Sequence, residues 1–251
     1  MNKSIIITGA SDGIGKGLAL AFARRGFSIG LIARGENRLR NVAEECVTAG
    51  SPQTTYRQAD VTDSKALRRA LSELDNTIEG ATIFIANAGI GKITPIENDA
   101  SATVRTTFET NVLGAIDGIE FMKTLMLKRG KGHIVGISSI VAARGLPRAR
   151  AYCSSKAALH SYMESLRADL AVKTPLTVSI IAPGYIDTAM TRKIRFPMPF
   201  LIDIHKSGEA FAKLILKKKR LIIVPKIWSP VFWILKSLPD FLYYPISRML
   251  T

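Results

Sequence analysis

The chain is poor in thiols, imidazoles and acid. Its 251 residues hold two cysteines, three histidines and 20 acidic residues, the last set against 35 Lys and Arg for a net charge of +15. Two thiols, Cys46 and Cys153, exclude a disulfide framework and fit a reducing, cytoplasmic compartment. His133, His160 and His205 are dispersed, with no carboxylate or thiol at ligand spacing, so no metal site is expected. Long hydrophobic runs are also missing. The N-terminal run Ser4-Ile5-Ile6-Ile7 is too short for a secretory signal and meets a glycine-rich turn. Near the other end, Pro225, Pro230, Pro239 and Pro245, with Lys226, Lys236 and Asp240, interrupt the apolar stretch too often for a spanning helix of about 20 residues. What is abundant is aliphatic: 47% hydrophobic residues with 22% charged exclude disorder, and the length suits one sizeable α/β domain.

The charge is uneven. Residues 192–251 carry twelve basic against three acidic residues, so nine of the fifteen net charges lie in the last 60 positions. Both tryptophans are there too, and six of the chain's 18 aromatics fall in the last 31 residues. The division expected is a catalytic domain over 1–225 and a basic, aromatic-rich extension over 226–251.

Short apolar runs alternate with helix-like stretches. Strands are predicted at Ser4–Thr8, Phe27–Ala33, Thr54–Ala59, Thr82–Ala86, His133–Ser138, Thr177–Ile181 and Leu221–Val224. Helices are predicted at Gly15–Arg25, Glu36–Ala49, Ser64–Leu74, Ala102–Lys128, Ala149–Val172 and Ser207–Lys217. Strands apolar on both faces belong in a parallel sheet covered by helices on both sides. The alternation therefore predicts a Rossmann-type α/β fold, a doubly wound, mainly parallel seven-stranded sheet, with ligands at the carboxyl ends of its strands.

Those strand ends carry the chemistry. After the first strand comes Gly9-Ala10-Ser11-Asp12-Gly13-Ile14-Gly15, opening into a helix. Glycines allow a tight turn, and helix-start N–H groups attract phosphate, although an ordinary strand–helix turn reads the same way. The spacing Gly-x-x-x-Gly-x-Gly differs from the common dinucleotide fingerprint. The second strand ends in Ala33-Arg34, with an arginine where an acidic residue would select a free 2′-hydroxyl. Arg34 can pair with a 2′-phosphate, with Arg38 as reinforcement, so NADP(H) is preferred and NAD(H) is the alternative. Asp60-Val61 after the third strand offers an acceptor for the adenine amino group. Asn87-Ala88-Gly89 after the fourth puts small residues where a sugar or ring must pass.

Ser139 follows the fifth strand, and Tyr152 and Lys156 stand four apart at the start of the next helix, on one face. A phenol ionises near pH 10. A neighbouring ammonium favours phenolate, which suits Tyr152 to give a proton to a carbonyl or take one from an alcohol. Ser139 can hold the substrate oxygen. Cys153, inside this motif, reads as a small packed residue rather than a redox centre.

With these motifs assembled, the chain resembles the short-chain dehydrogenase/reductase family over about residues 3–190. The matching residues are Thr8-Gly9-x-x-x-Gly13-x-Gly15, Asp60, Asn87-Ala88-Gly89, Asn111, Ser139, Tyr152-x-x-x-Lys156, and Pro183-Gly184 with Thr188. The resemblance implies that Asn111 interrupts its helix and helps hold a water relaying protons through Lys156. It implies that Lys156 also binds the nicotinamide ribose, and that Pro183, Gly184, Ile186 and Thr188 border the nicotinamide. It also implies a homodimer through the helices around Gly114 and Gly118 and after Tyr152. Two departures stand out: Ala86 replaces a frequent Asn, and Asp12 occupies a place where NADP(H)-using relatives often carry a basic residue.

The expected function is reduction of a lipophilic ketone or aldehyde, or the reverse. The alternative is an NADP(H)-binding sensor or membrane-associated scaffold without turnover. Short Trp/Phe/Leu helices flanked by lysines, with Lys217-Lys218-Lys219-Arg220 nearby, fit the surface of an anionic bilayer. Docking on the chain's own domain or on a dimer partner is the competing use of the same residues. Nucleic acid is not expected as a partner, because aliphatic-rich segments suit lipid better than bases.

Overall fold

A computed structural model of the protein describes residues 3–193 and 198–248. Positions 194–197 of the expected substrate loop (185–206) and Met249, Leu250 and Thr251 of the extension lie outside the described residues. The seven strands are β1 (Ser4–Thr8), β2 (Ser28–Ala33), β3 (Thr54–Gln58), β4 (Ile83–Ala86), β5 (His133–Ile137), β6 (Thr177–Pro183) and β7 (Leu221–Val224). They form one sheet in the order β3-β2-β1-β4-β5-β6-β7, and every described pairing is parallel. The order reverses between β1 and β4, the switch point where such sheets open a ligand crevice.

Nine helices surround the sheet among the described residues: α1 (Gly13–Ala23), α2 (Glu36–Thr48), α3 (Ser64–Thr77), α4 (Ser101–Phe108), α5 (Gly114–Arg129), α6 (Arg150–Lys173), α7 (Ile204–Leu216), α8 (Trp228–Ser237) and α9 (Asp240–Arg248). Alternation along β1 sends Ile5 and Ile7 to one face and Ile6 to the other, each fully buried. On the first face they meet Leu18 and Phe22 of α1, Leu39 of α2, and Phe211 and Ile215 of α7. On the second face Ile6 meets Leu71 and Leu74 of α3, Ile119 and Met122 of α5, and Met163 of α6. Helices α1 and α7 approach closely because Gly17 is small: a Cβ there would fall 2.7 Å from the Ile204 carbonyl oxygen.

One sequence expectation changes. The stretch expected as one helix from 102 to 128 is three pieces, because a π turn at Glu109–Leu113 separates α4 from α5. The apolar period does not register one extra residue per turn, so the break escapes a periodicity reading. Gly114 and Gly118 pack closely within the chain. A Cβ on Gly114 would lie 2.6 Å from the Val61 carbonyl oxygen, and one on Gly118 would lie 3.0 Å from the Phe84 ring.

The extension folds back on the domain. α8 covers the ends of β6 and β7 with Phe232, which is 2% exposed among Ile140, Ala182 and Ile223. Phe232 also stacks on His160, with ring centroids 5.8 Å apart. A buried Phe of this kind is worth about 2–3 kcal/mol in area alone. Next, α9 is fastened to the loop after β5. Asp240 pairs with Arg144, Arg144 donates to the Leu238 carbonyl at 2.6 Å, and the Tyr243 hydroxyl donates to the Gly145 carbonyl. The outward faces stay apolar: Trp233, Ile234, Phe241, Leu242, Tyr244 and Ile246 are all exposed.

Candidate active site

The site begins at the switch point. Asn87, at the end of β4, donates from Nδ2 to the carbonyls of Thr8 (2.9 Å) and Gly9 (3.0 Å), while its own N–H is received by Thr8 Oγ1 at 3.1 Å. The loops after β1 and β4 are thereby laced together. Gly9 and Gly13 have φ of +64° and +55°, and a Cβ on Gly15 would collide with Asn87 Nδ2 at 2.6 Å. These glycines are therefore required by the turn itself. Asp12 caps α1 by accepting from Gly13 N at 2.6 Å, leaving the remaining first-turn N–H groups without helical partners. Ser11, Ile14 and Gly15 belong to this cradle, which fits a diphosphate.

At the end of β2, Arg34 is 70% exposed in its side chain, and its guanidinium lies 3.8 Å from the Asp60 carboxylate. Asp60 accepts from the N–H and hydroxyl of Thr62 at 3.0 and 2.9 Å, so its orientation after β3 is fixed, with Val61 buried behind it. A mobile, exposed guanidinium fits a 2′-phosphate, and an oriented carboxylate fits the adenine edge. The acidic departure at Asp12 is partly answered by Arg192, whose charge reaches it, while Arg192 itself forks onto Asp187 at 2.7 and 3.1 Å. Nothing in the sequence pattern singled out Arg192.

Tyr152 and Lys156 lie in the first two turns of α6. The entry to this helix is held by Arg148 at φ +60°, whose carbonyl accepts from Thr94 N at 2.8 Å, and by Arg150, which donates to Pro95 O at 3.2 Å. Ser139, just after β5, lies near enough to the Tyr152 phenol to lower its pKa and accepts from Val141 N at 3.3 Å. Lys156 is 4% exposed and donates from Nζ to the Ile137 carbonyl at 2.7 Å. Its Nζ lies 5.9 Å from the Tyr152 ring centroid.

Burial dominates both titrations. It pushes the Tyr152 phenol up to about 12, against a smaller lowering by Ser139, and pulls Lys156 down to about 8. The sequence argument put the attraction between ammonium and phenolate first. In the protein itself desolvation of both groups is the larger effect, and the phenol is a firmly held acid.

Asn111 sits in the π turn with its side chain fully engaged. Its Oδ1 accepts from Ile90 N at 2.7 Å, and its Nδ2 donates to Ile90 O at 2.9 Å and Ser155 Oγ at 3.0 Å. This pins the loop after Gly89 beside Lys156: a Cβ on Gly89 would lie 3.2 Å from Asn111 Oδ1 and 3.4 Å from Lys156 Nζ. Ala88 packs at its base.

Beyond β6, Pro183 and Gly184 lead into a loop bridged back by Ile186 and Ile202, in which Thr191 Oγ1 donates to Ile186 O at 2.7 Å and accepts from Thr188 N at 2.9 Å. Thr188 also lies against the glycine turn, 3.2 Å from where a Gly13 Cβ would be. Met190 closes toward Tyr152, since both flank the Cβ position of Gly91 within 3.2 Å. Cys153 is buried, receives Leu146 N at 3.4 Å, and has its thiol pushed up by burial, as an inert packed residue should. Sequence reasoning missed Tyr185, Met190 and Arg192 of the loop after β6, and Trp228, which comes to Gly184 through the return of the extension. Among the described residues no group of His, Cys, Asp and Glu forms a metal site.

Comparisons with known proteins bear on the family and the fold. The family model described as short chain dehydrogenase matches residues 3–198. An uncharacterised oxidoreductase of Myxococcus xanthus is 35% identical over 99% of this chain and 97% of its own length. An 11-beta-hydroxysteroid dehydrogenase-like protein of Arabidopsis thaliana is 31% identical over 96% of this chain and 82% of its own. A short chain dehydrogenase/reductase from Burkholderia phymatum, solved with NAD, superimposes with a TM-score of 0.85 over 93% of this chain and 92% of its own, at 18% identity. An alcohol dehydrogenase of Thermococcus sibiricus, solved with 5-hydroxy-NADP, gives a TM-score of 0.78 at 25% identity over 88% and 94%.

The buried ammonium has a measurable signature. Its folded pKa of about 8 lies below its unfolded value of 10.5, so in that interval the unfolded chain binds more protons and stability rises with pH. Against Lys156→Met, the wild-type protein should gain about 2 kcal/mol between pH 8 and pH 10 in urea unfolding. A difference between the two that stays flat with pH would show that the ammonium is not held in a desolvated place.

Proposed function

The chain belongs to the short-chain dehydrogenase/reductase family, and from that membership we propose that it reduces a ketone or aldehyde to an alcohol with NADPH, or runs the reverse oxidation. The observation that carries this reading is the convergence at the end of β5 of a phenol kept protonated, a buried ammonium and a serine hydroxyl. A sensor of cofactor alone has no use for such an acid.

In this reading Ser139 holds the substrate oxygen beside Tyr152. The Tyr152 O–H bond breaks as its proton passes to that oxygen, and the phenolate left behind is stabilised by the Lys156 ammonium. A bound reduced nicotinamide supplies the hydride. Lys156 would hold the nicotinamide ribose and Asp60 the adenine edge, Pro183, Gly184, Ile186 and Thr188 would border the reacting ring, and Gly9, Ser11, Asp12, Gly13, Ile14 and Gly15 would surround the diphosphate. Asn111, whose side chain is committed to Ile90 and Ser155, contributes through the backbone that the π turn releases, holding a water on the path from Lys156. Arg34 is the basis for preferring NADP(H), and NAD(H) remains the alternative cofactor.

The substrate proposed is lipophilic and the setting a cytoplasmic membrane surface. No helix among the described residues is long and apolar enough to cross a bilayer. Trp233, Ile234 and Phe241 of α8 and α9 are instead exposed, and Lys236 lies over the Trp233 ring at 5.6 Å, with Lys226 and the basic run ending at Arg220 close by in sequence. Such a combination suits the interface of an anionic bilayer. A homodimer through α5 and α6 is proposed from the family resemblance.

Three measurements test the reading. Tyr152→Phe should lower kcat for carbonyl reduction by at least about a thousandfold while leaving NADPH affinity nearly unchanged; substantial turnover would remove the mechanism. Arg34→Asp should lower the NADPH-to-NADH ratio of kcat/KM by about ten- to a hundredfold, as expected for a lost charge-assisted hydrogen bond. An unchanged ratio would reassign cofactor choice. Trp233→Ser with Ile234→Ser and Phe241→Ser should cut binding to phosphatidylglycerol-containing vesicles at least about tenfold without lowering Tm. Undiminished binding would refute membrane contact through these residues.

A further inference from the structure

Ser139 and Tyr152, the two hydroxyls of the proposed reaction, stand at opposite ends of the connection between β5 and α6. Their separation depends on how that connection is held. Its far end is held by the domain, where Thr94 N donates to Arg148 O at 2.8 Å and Arg150 donates to Pro95 O at 3.2 Å. Its near end and middle are held by the extension. Phe232 of α8 packs on Ile140, next to Ser139. Arg144 donates to the Leu238 carbonyl at 2.6 Å, pairs with Asp240, and has its guanidinium carbon 4.5 Å from the centroid of the Tyr243 ring. The Tyr243 hydroxyl donates to the Gly145 carbonyl. Among the described residues, every hydrogen bond that reaches Arg144 or Gly145 from outside the connection comes from the extension. A Cβ on Gly145 would meet nothing within 4 Å, so that side of the turn has no other support. One further step reaches Tyr152. Leu146 N donates to Cys153 Sγ at 3.4 Å, and Cys153 follows Tyr152 in α6. Tyr243 is 5% exposed, and Cys153 is near enough to reinforce the rise that burial imposes on its phenol.

We propose that Tyr243 and Arg144 are positioning residues of the reaction: through the turn at Gly145 the extension sets the distance between Ser139 and Tyr152 that the substrate oxygen has to bridge. The inference rests on the proposed carbonyl reduction and gives the extension a part in it. An oxygen shared between two hydroxyls tolerates little displacement of either, since misplacement by about 1 Å costs about a hundredfold in rate. The connection is half-buried along most of its length and exposed at Gly145. Segments with so little buried surface open locally unless they are tied. The tie is uneven. Asp240 is 70% exposed in its side chain, so its pairing with Arg144 contributes little. Tyr243 donates from a buried place, where losing the bond costs more. Tyr243 therefore carries most of the clasp. Without it both hydroxyls keep their places in sequence and lose their fixed spacing.

The test compares the wild-type full chain with Tyr243→Phe, which keeps the ring beside Arg144 and removes the donor, using NADPH and 2-alkanones of increasing chain length as probes. On the best alkanone kcat should fall about tenfold, as expected for one buried hydrogen bond, while KM for NADPH stays within about twofold. The two free thiols give a readout independent of turnover. Alkylation of Cys153 by iodoacetamide, followed by mass spectrometry, should run about tenfold faster in Tyr243→Phe through local opening. Cys46 of α2, fully buried in the core, should keep its wild-type rate and so report that the fold as a whole is intact. Arg144→Ala should act in the same direction, and Arg144→Lys, which keeps a charge facing Asp240, should recover part of the loss. Wild-type kcat in Tyr243→Phe overturns the proposal whatever Cys153 does. Equal acceleration at both thiols also overturns it, because that marks a merely structural role. If the wild type reduces no 2-alkanone while Tyr243→Phe still frees Cys153, the carbonyl reductase reading fails and the clasp on the turn stands.

Discussion

One buried cation organises this molecule. An ammonium almost wholly removed from water costs several kcal/mol unless its surroundings answer it, and Lys156 is 4% exposed. The answer is architectural. The Ile137 carbonyl, the last of β5, is free to accept from Nζ because the strand ends there. The π turn swings Asn111 inward so that Gly89 and the loop after it come within van der Waals reach of the same ammonium. Ser138, next to Ile137, donates to the Lys156 carbonyl at 3.0 Å and so locks strand end and helix together. The parallel sheet, the broken helix and the entry of α6 are all needed to hold that one charge. It is held beside the one phenol whose proton the proposed reaction moves.

The same reasoning shows which parts of the structure were readable in advance. Strands such as Ser4–Thr8 and Leu221–Val224 were found to the residue, because runs buried on both faces and stopped by Gly or Pro leave little choice. The mainly parallel, doubly wound sheet followed from the alternation of apolar runs with helix-like stretches, whereas the order of its strands was supplied by the structure alone. The glycine turn, Ser139, Tyr152 and Lys156 were legible because their chemistry is local: each stands at a strand end or on one helix face. The π turn was not legible from periodicity, since Asn111 looks like any polar residue within a helix of mixed composition. The direction of the Tyr152 and Lys156 titrations was not legible either. Spacing indicates who is near whom, whereas desolvation depends on everything packed around both groups.

The extension marks the sharper limit. From sequence, Trp228, Phe232 and Trp233 are equally hydrophobic and could all face lipid or all face protein. Folding separates them. Phe232 packs inward on Ala182 and Ile223 at the ends of β6 and β7 and on His160 of α6, Trp228 packs on Gly184, and Trp233, one residue on from Phe232, is exposed. The choice between self-docking and an outside surface was therefore not a choice between exclusive alternatives. A short helix with apolar residues all round does the first with one face and leaves the second face unsatisfied.

This division also reframes the net charge of +15. Part of the charge after residue 191 borders the cofactor cradle, since Arg192 reaches Asp12 and forks onto Asp187, while Arg34 faces Asp60. Another part lies at the start of β7, where Arg167 donates to the Arg220 carbonyl at 3.1 Å, and on α8. Lys236, from α8, is near enough with Arg167 to hold His160 below its ordinary pKa, a smaller effect than its burial. Lys236 stands over the Trp233 ring, its Nζ 5.6 Å from the centroid, so α8 presents a positive charge and an exposed apolar side chain together, while its inward residue Phe232 is spent on the domain.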